Sequence, residues 1–171
     1  VATKTREQTP LKGPHLYFAP VKKAGTDFIA AKGTELGVRS LNPVMTEFTS
    51  TIRVNQERIR GNAQKAAEQC GRLDIPDIGE PRRLEDIIKT WQNSQLLIVA
   101  DETKNASRTL ETLKGIKIGG GPPAFLVGPQ GGFSQAELVF LRSLPFVITI
   151  GLGPRILRSE TAVVAILTCW Q

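Results

Sequence analysis

The chain has 171 residues, of which 22 are basic and 16 acidic, so its formal net charge is +6. The length suffices for one domain with a buried core, and no apolar run is long enough to cross a bilayer. The basic balance favours an anionic partner, with nucleic acid first among the candidates; the alternative is a housekeeping protein that is basic without such a partner.

Cysteine and histidine usage excludes further classes of protein. Cys70 and Cys169 lie far apart in the sequence, and His15 is the only histidine. This set argues against a zinc site and against a disulfide framework. It also provides no Ser-His-Asp set and no Cys-His pair for nucleophilic catalysis. Two isolated thiols are typical of a cytoplasmic protein.

In the first half of the chain, short apolar runs alternate with helical patterns. Residues 1–14 are polar, carry Pro10, Gly13 and Pro14, and are expected to be a linker. The predicted elements are strand 16–19, helix 25–36 closed by Gly37, strand 38–44 ended near Pro43, and helix 56–71 with Asn55 as its N-cap.

The second half continues this alternation. Ser134 and Glu137 have the spacing of a capping box, which predicts the start of a helix. The predicted elements are helix 83–91, strand 96–100, helix 107–114, strand 124–127, a helix from Ser134 to Arg142, strand 147–150 and helix 159–170. Strands that alternate with helices predict an α/β domain with a largely parallel sheet.

Three loops follow predicted strands near the end of the chain, at 100–103, 128–133 and 151–158. Ligands of parallel sheets bind outside the carboxyl ends of the strands, so these loops are the expected site. Neither glycine-rich turn, 128–133 or 151–153, is a Walker A or a dinucleotide-binding motif. A tight turn without a ligand is the alternative for either one, but two such turns favour a shared pocket.

Arginines follow the second glycine turn. Arg155 and Arg158 flank two apolar residues, and arginine binds phosphates and carboxylates through planar, bidentate hydrogen bonds. Two surface arginines with Glu160 as an intramolecular partner are the alternative. The available catalytic groups are therefore arginine, lysine, carboxylates and backbone amides, which favours group transfer by positioning.

Four motifs, in order, together resemble the SPOUT methyltransferases, and more narrowly the bacterial 16S ribosomal RNA uracil-N3 methyltransferase family. The resemblance covers about residues 16–171. The motifs are Lys32–Val38 with Pro43, Ala66–Arg72 with Pro76, Val127–Ser134 with Glu137, and Leu152–Ala162.

The resemblance implies a fold, a cofactor and partners. The fold is an α/β domain over residues 15–171 with a C-terminal trefoil knot, and residues 1–14 would be the tail of a missing N-terminal PUA-like RNA-binding domain. The activity is methylation of uridine N3 in small-subunit ribosomal RNA, in an assembled particle, by a homodimer that uses S-adenosylmethionine and no metal.

Site residues follow from the same resemblance. Those expected to act on the RNA base or its phosphate are Arg155, Arg158, Arg72 and Glu160, with Glu160 either accepting a proton or orienting an arginine. Those expected to bind the cofactor are Ala100, Asp101, Val127, Gly128, Pro129, Gly131, Gly132, Ile150, Gly151, Leu152, Gly153, Ile156, Leu157 and Thr161.

Two positions depart from the family pattern. Gln130 replaces a glutamate of the first turn, which predicts weaker cofactor binding if that carboxylate contributes to it. Glu47 and Phe48 stand where an arginine is usual. Two other functions are therefore kept as alternatives: ribose 2′-O-methylation by another SPOUT enzyme, and a non-catalytic RNA-binding or assembly module.

Overall fold

Strands and helices alternate along the chain, as the sequence predicts. The computed structural model describes residues 12–51, 53–103, 107–108, 113 and 121–171. Within these ranges the elements are β1 (His15–Phe18), α1 (Lys23–Glu35), β2 (Ser40–Met45), α2 (Gln56–Cys70), β3 (Asp77–Ile78), β4 (Arg82–Arg83), α3 (Leu84–Lys89), β5 (Leu97–Ala100), β6 (Ser107–Arg108), β7 (Ala124–Val127), α4 (Gln135–Arg142), β8 (Val147–Gly151) and α5 (Ser159–Trp170).

The described strands form a parallel sheet in the order β3-β2-β1-β7-β5-β8-β6, and β4 pairs with the end of β2. The predicted fold class, a mostly parallel sheet flanked by helices, is confirmed. The trefoil knot that the resemblance implies stays a prediction. Because every pairing is parallel, the loops that follow the strands all leave from one edge of the sheet.

Alternate residues of the central strands face two separate hydrophobic cores. In β5, Ile98 packs with α1, α2 and α5 on one face, while Val99 packs with α3 and α4 on the other. Both side chains are fully buried. This explains the unbroken apolar run of β5, since a parallel strand covered on both faces has no solvent-facing side.

Local sequence signals set the helix ends. Asn55 Oδ1 accepts a hydrogen bond from the Arg58 backbone N–H at 2.8 Å, and Gly71 closes α2 in the left-handed region with φ of 75°. Ser134 and Glu137 form the predicted capping box at the start of α4. These caps satisfy backbone groups that the helix itself leaves unpaired.

Two predictions of secondary structure are wrong. Pro43 lies inside β2 and does not end it, because β3 pairs with β2 only at Ser40 and Leu41 and β4 only from Val44 onward. The missing N–H of Pro43 therefore falls in the gap between these two partners. Residues 107–108, which were predicted to begin a helix, form strand β6 beside β8; most of that predicted helix lies outside the described residues.

Candidate functional site

The three loops predicted to form a site meet in one cleft. β5 lies between β7 and β8, with Ala100 opposite both Val127 and Ile150, so the loops after these strands leave the sheet side by side. The residues that line the cleft are Ala100, Asp101, Glu102, Val127, Gly128, Pro129, Leu152, Gly153, Arg155, Leu157, Ser159 and Ala162.

The first turn is fastened at both of its ends. The Ser159 hydroxyl donates to the Gly128 carbonyl oxygen at 2.7 Å, which joins the turn to the start of α5. A side chain at Gly128 would collide with the buried Phe133 ring at 2.9 Å. Glu137 accepts the backbone N–H of Ser134 through one carboxylate oxygen and that of Glu47 through the other, each at 2.9 Å. The turn is thus held as a rigid wall of the cleft.

The second turn brings an open backbone to the opposite wall of the cleft, with Arg155 on the cleft lining and Arg158 outside it. Gly153 has φ of 117°, and no atom lies within 4 Å of where its Cβ would stand. Arg155 and Arg158 are both exposed. Neither makes a hydrogen bond or an ion pair with another described residue, so their donors are available to a ligand.

Two neighbouring carboxylates after β5 have different environments. Asp101 is 2% exposed and accepts hydrogen bonds from Arg142 Nη2 at 2.5 Å and from the Thr103 backbone N–H at 2.9 Å. Glu102 is exposed and lines the cleft, and its Oε1 would lie 2.0 Å from a Cβ added at Gly132. Asp101 therefore anchors the loop, while Glu102 leaves a negative charge at the cleft.

Nine of the predicted cofactor and RNA residues line the cleft. They are Ala100, Asp101, Val127, Gly128, Pro129, Leu152, Gly153, Arg155 and Leu157. The others lie outside its lining: Gly131, Gly132, Ile150, Gly151, Ile156, Thr161, Arg158, Glu160 and Arg72. Three lining residues were missed by the sequence analysis: Glu102, Ser159 and Ala162. Helical spacing could have found the last two, since residues three apart in the first turn of α5 share a face.

Ile156 and Glu160 lie in environments that differ from those their predicted roles require. Ile156 is 79% exposed, although it was expected to pack against the cofactor. Glu160 makes no ion pair with Arg155 or Arg158 within the described chain. Its Oε2 is instead buried near Gly25 of α1, with no hydrogen-bond partner among the described residues.

Arg72 does not line the cleft, and each of its three guanidinium nitrogens donates to another part of the chain. It donates to the carbonyl oxygens of Thr34 at 2.6 Å and Val38 at 3.1 Å, and pairs with Asp74 at 2.8 Å. These hydrogen bonds hold the pKa of the Asp74 carboxyl below its usual value. Because Val38 precedes β2, this network lies at the amino edge of the sheet. The fold of the single chain therefore does not bring Arg72 together with Arg155.

Gln130, the departure from the family turn, is exposed and does not line the cleft. Phe48, the other departure, packs against the same turn, within 3.4–3.8 Å of where a Gly131 Cβ would stand. No cluster of three or more histidine, cysteine, aspartate or glutamate side chains suited to a metal occurs among the described residues. None of the described helices could span a membrane.

The sheet is parallel with helices on both faces, and a cleft spans the loops after three neighbouring strands. This arrangement is typical of an α/β ligand-binding domain. A family model described as an RNA methyltransferase domain matches residues 7–171. The chain belongs to this RNA methyltransferase domain family.

Named relatives and a solved structure agree with this membership. The chain is 31% identical over 131 residues to ribosomal RNA small subunit methyltransferase E of Rickettsia conorii, covering 77% of this chain and 52% of that protein. It is 30% identical over 168 residues to the protein of the same name from Buchnera aphidicola (subsp. Schizaphis graminum), covering 92% and 64% respectively. The chain thus spans about half to two thirds of these relatives.

The solved structure is ribosomal RNA small subunit methyltransferase E from Neisseria gonorrhoeae bound to S-adenosyl methionine. It superposes with a TM-score of 0.83 at 25% identity, covering 97% of this chain and 68% of that one.

Proposed function

We propose that this chain transfers a methyl group from S-adenosylmethionine to N3 of a uridine in small-subunit ribosomal RNA. The observation that carries the proposal is the cleft itself, in which three strand-end loops meet, beside two exposed arginines that have no partner in the described part of the chain. The relatives named as small-subunit ribosomal RNA methyltransferases, and the one bound to S-adenosyl methionine, support the choice of cofactor and substrate.

The residues that line the cleft suit an adenosyl ligand by their chemistry. Gly153 leaves its backbone open to the cleft, and Gly128 and Pro129 form the opposite wall without long side chains. Leu152 and Leu157 add apolar surface on which an adenine can pack. When bound there, S-adenosylmethionine supplies an electrophilic methyl group on a sulfonium. The walls of this cleft would hold it and keep water away from it.

The arginines support the choice of uracil N3 as the atom that is methylated. Uracil N3 carries a weakly acidic proton and is a poor nucleophile until that proton leaves. Arg155 and Arg158 would donate hydrogen bonds to the carbonyl oxygens on either side of N3, which stabilises the anion that develops there. Both side chains are exposed, so the released proton can pass to bulk water. The target base must leave its stack to reach them.

We also infer that the active form is a homodimer that works in the cytoplasm on an assembled ribosomal particle. The side chain that supports the dimer is Ile156, which is 79% exposed in the second turn. A partner surface over the second turn would remove this apolar side chain from water.

Substitution of the arginines separates cofactor binding from methyl transfer. For Arg155→Ala and Arg158→Ala, we expect the dissociation constant for S-adenosylmethionine to change less than about threefold. Single-turnover methylation of small subunits that lack the modification should fall by about 10²-fold, the usual effect of removing one donor to a developing oxyanion. Calorimetry and labelled methyl transfer measure the two quantities.

Arg39→Ala is the matched control, because Arg39 is an exposed arginine just before β2 at the opposite edge of the sheet. It should leave both quantities unchanged. An equal loss of cofactor binding and methyl transfer in the Arg155 and Arg158 variants would contradict the substrate role. No binding of S-adenosylmethionine by the unmodified chain would contradict the proposed function as a whole.

A further inference from the structure

A second open groove lies beside the cleft, at the same edge of the sheet. Its empty volume is about 770 Å³, and it is formed by the loop after β1, the start of α1, the loop after β2 and the start of α2. Its apolar floor includes Val21, Val54 and Ile59. Since β1 and β2 are parallel to β7, their loops leave the sheet toward the same side as the first glycine turn.

The polar groups of this groove are biased toward hydrogen-bond donors. Lys23 and Arg53 are exposed and make no hydrogen bond or ion pair with another described residue. Asp27 is the one carboxylate among the described lining residues, and both of its oxygens are occupied. Arg58 binds Asp27 through two nitrogens, and Asn62 donates to it at 2.7 Å. The groove therefore presents unpaired positive charge and no unpaired carboxylate.

Hydrogen bonds connect the loops that carry this groove to the elements on either side of the first turn. The Ala19 backbone N–H, next to the groove residue Pro20, donates to the carbonyl oxygen of Val127 at the end of β7 at 2.9 Å. In the loop after β2, the Glu47 backbone N–H donates to Glu137 at the start of α4. In the sheet, β1 and β2 are the next two strands beyond β7, so groove and cleft are about 10 Å apart by the spacing of strands.

We propose that this groove binds the single-stranded RNA that flanks the target nucleotide, with Lys23 and Arg53 on its phosphates. An apolar floor with cationic walls fits the bases and backbone of unpaired RNA, which proteins bind by stacking and charge. The inference rests on the proposed function, because it places the substrate strand of that reaction. It also accounts for part of the net charge of +6, which the cofactor alone does not explain.

The test is the salt dependence of RNA binding. A fluorescein-labelled 12-nucleotide oligouridylate is titrated by anisotropy at about 50, 100 and 200 mM KCl, where affinity falls with salt by about 0.7 log units per phosphate contact and decade. The double variant Lys23→Gln/Arg53→Gln should bind more weakly at every concentration. Its slope of log affinity against log salt should be shallower by about 1.4, because two contacts are lost.

The double variant Arg39→Gln/Lys65→Gln is the matched control, since it removes one arginine and one lysine that are exposed outside the groove. It should keep the wild-type slope. The same loss of slope in both double variants would mean that diffuse charge binds the RNA, and would overturn the proposal. An unchanged slope in the groove variant would overturn it as well.

Cofactor binding separates this inference from the proposed function. S-adenosylmethionine is titrated into the wild type and both double variants by calorimetry, and the three should agree within about twofold. If the cofactor binds but the oligouridylate slope does not depend on the groove, only the groove proposal fails. If neither the wild type nor a variant binds the cofactor, but the groove variant shows the expected loss of slope of log RNA affinity against log salt, RNA binding by the groove stands and the methyl-transfer proposal fails.

Discussion

Arg72 and the arginines of the second turn lie at opposite edges of the sheet and use their hydrogen-bond donors in opposite ways. At the amino edge, Arg72 donates hydrogen bonds to two backbone carbonyl oxygens and to Asp74, and its side chain is mostly buried. At the carboxyl edge, Arg155 and Arg158 are exposed and have no partner among the described residues. The residue type is the same, but Arg155 and Arg158 keep donors for a ligand, whereas Arg72 uses its donors within the chain. The same residue type thus stabilises the fold where its donors are used within the chain, and is available to a ligand beside the cleft where they are not.

The largest expected effect tests the structural role of Arg72. Arg72→Ala should lower the free energy of unfolding by about 3 kcal/mol, because it leaves Asp74 and two carbonyl oxygens without their charged partner. Urea denaturation measures this change. Arg155→Ala should change stability by less than about 0.5 kcal/mol, as is usual at exposed positions. Equal destabilisation by both variants would abolish the distinction between the two edges.

A smaller effect is expected from the glycine that shapes the first turn. Gly132→Ala should cost about 1–2 kcal/mol, because Gly132 has φ of 71° and a side chain there is strained in the left-handed region. It should also weaken cofactor binding, since the new Cβ would displace the Glu102 carboxylate at the cleft. Denaturation and calorimetry report the two effects.

Gly61→Ala provides the control for this substitution. Gly61 lies in the interior of α2 with no atom within 4 Å of its missing Cβ. Alanine there should stabilise the chain by about 1 kcal/mol and leave cofactor binding unchanged. A Gly132 variant that behaves like the Gly61 variant would show that the turn imposes no constraint.

The smallest effect concerns pH at the amino edge. His15 Nδ1 lies 2.7 Å from the Ser40 hydroxyl oxygen, and burial, followed by the charge of Arg39, lowers the pKa of His15. The unfolded chain therefore takes up this proton first as pH falls through about 6.5. Stability should fall between pH 7.5 and 5.5, with a slope of at most about 1.4 kcal/mol per pH unit.

His15 is the only histidine, so its effect can be isolated. In His15→Asn, urea denaturation should give a nearly flat stability over this pH range. A slope that persists in that variant would show that another group titrates there.

Sequence reasoning found the cleft because a parallel sheet brings strand-end loops to one edge whatever their separation along the chain. It found the Ser134 cap because that signal is local. It could not place Arg72, whose acceptors on Thr34 and Val38 lie 38 and 34 residues away in sequence. It also could not show that Gln130 lies outside the cleft lining, since the position of a turn residue depends on tertiary packing.

The most direct measurement is identification of the methylated product. Small ribosomal subunits that lack the modification are incubated with this chain and methyl-labelled S-adenosylmethionine, and the digested nucleosides are identified by mass spectrometry. We expect labelled N3-methyluridine, strongly reduced in the Arg155→Ala variant and unchanged in Arg39→Ala. Label on a ribose 2′ oxygen, or cofactor binding without any transfer of label, would contradict the proposed function.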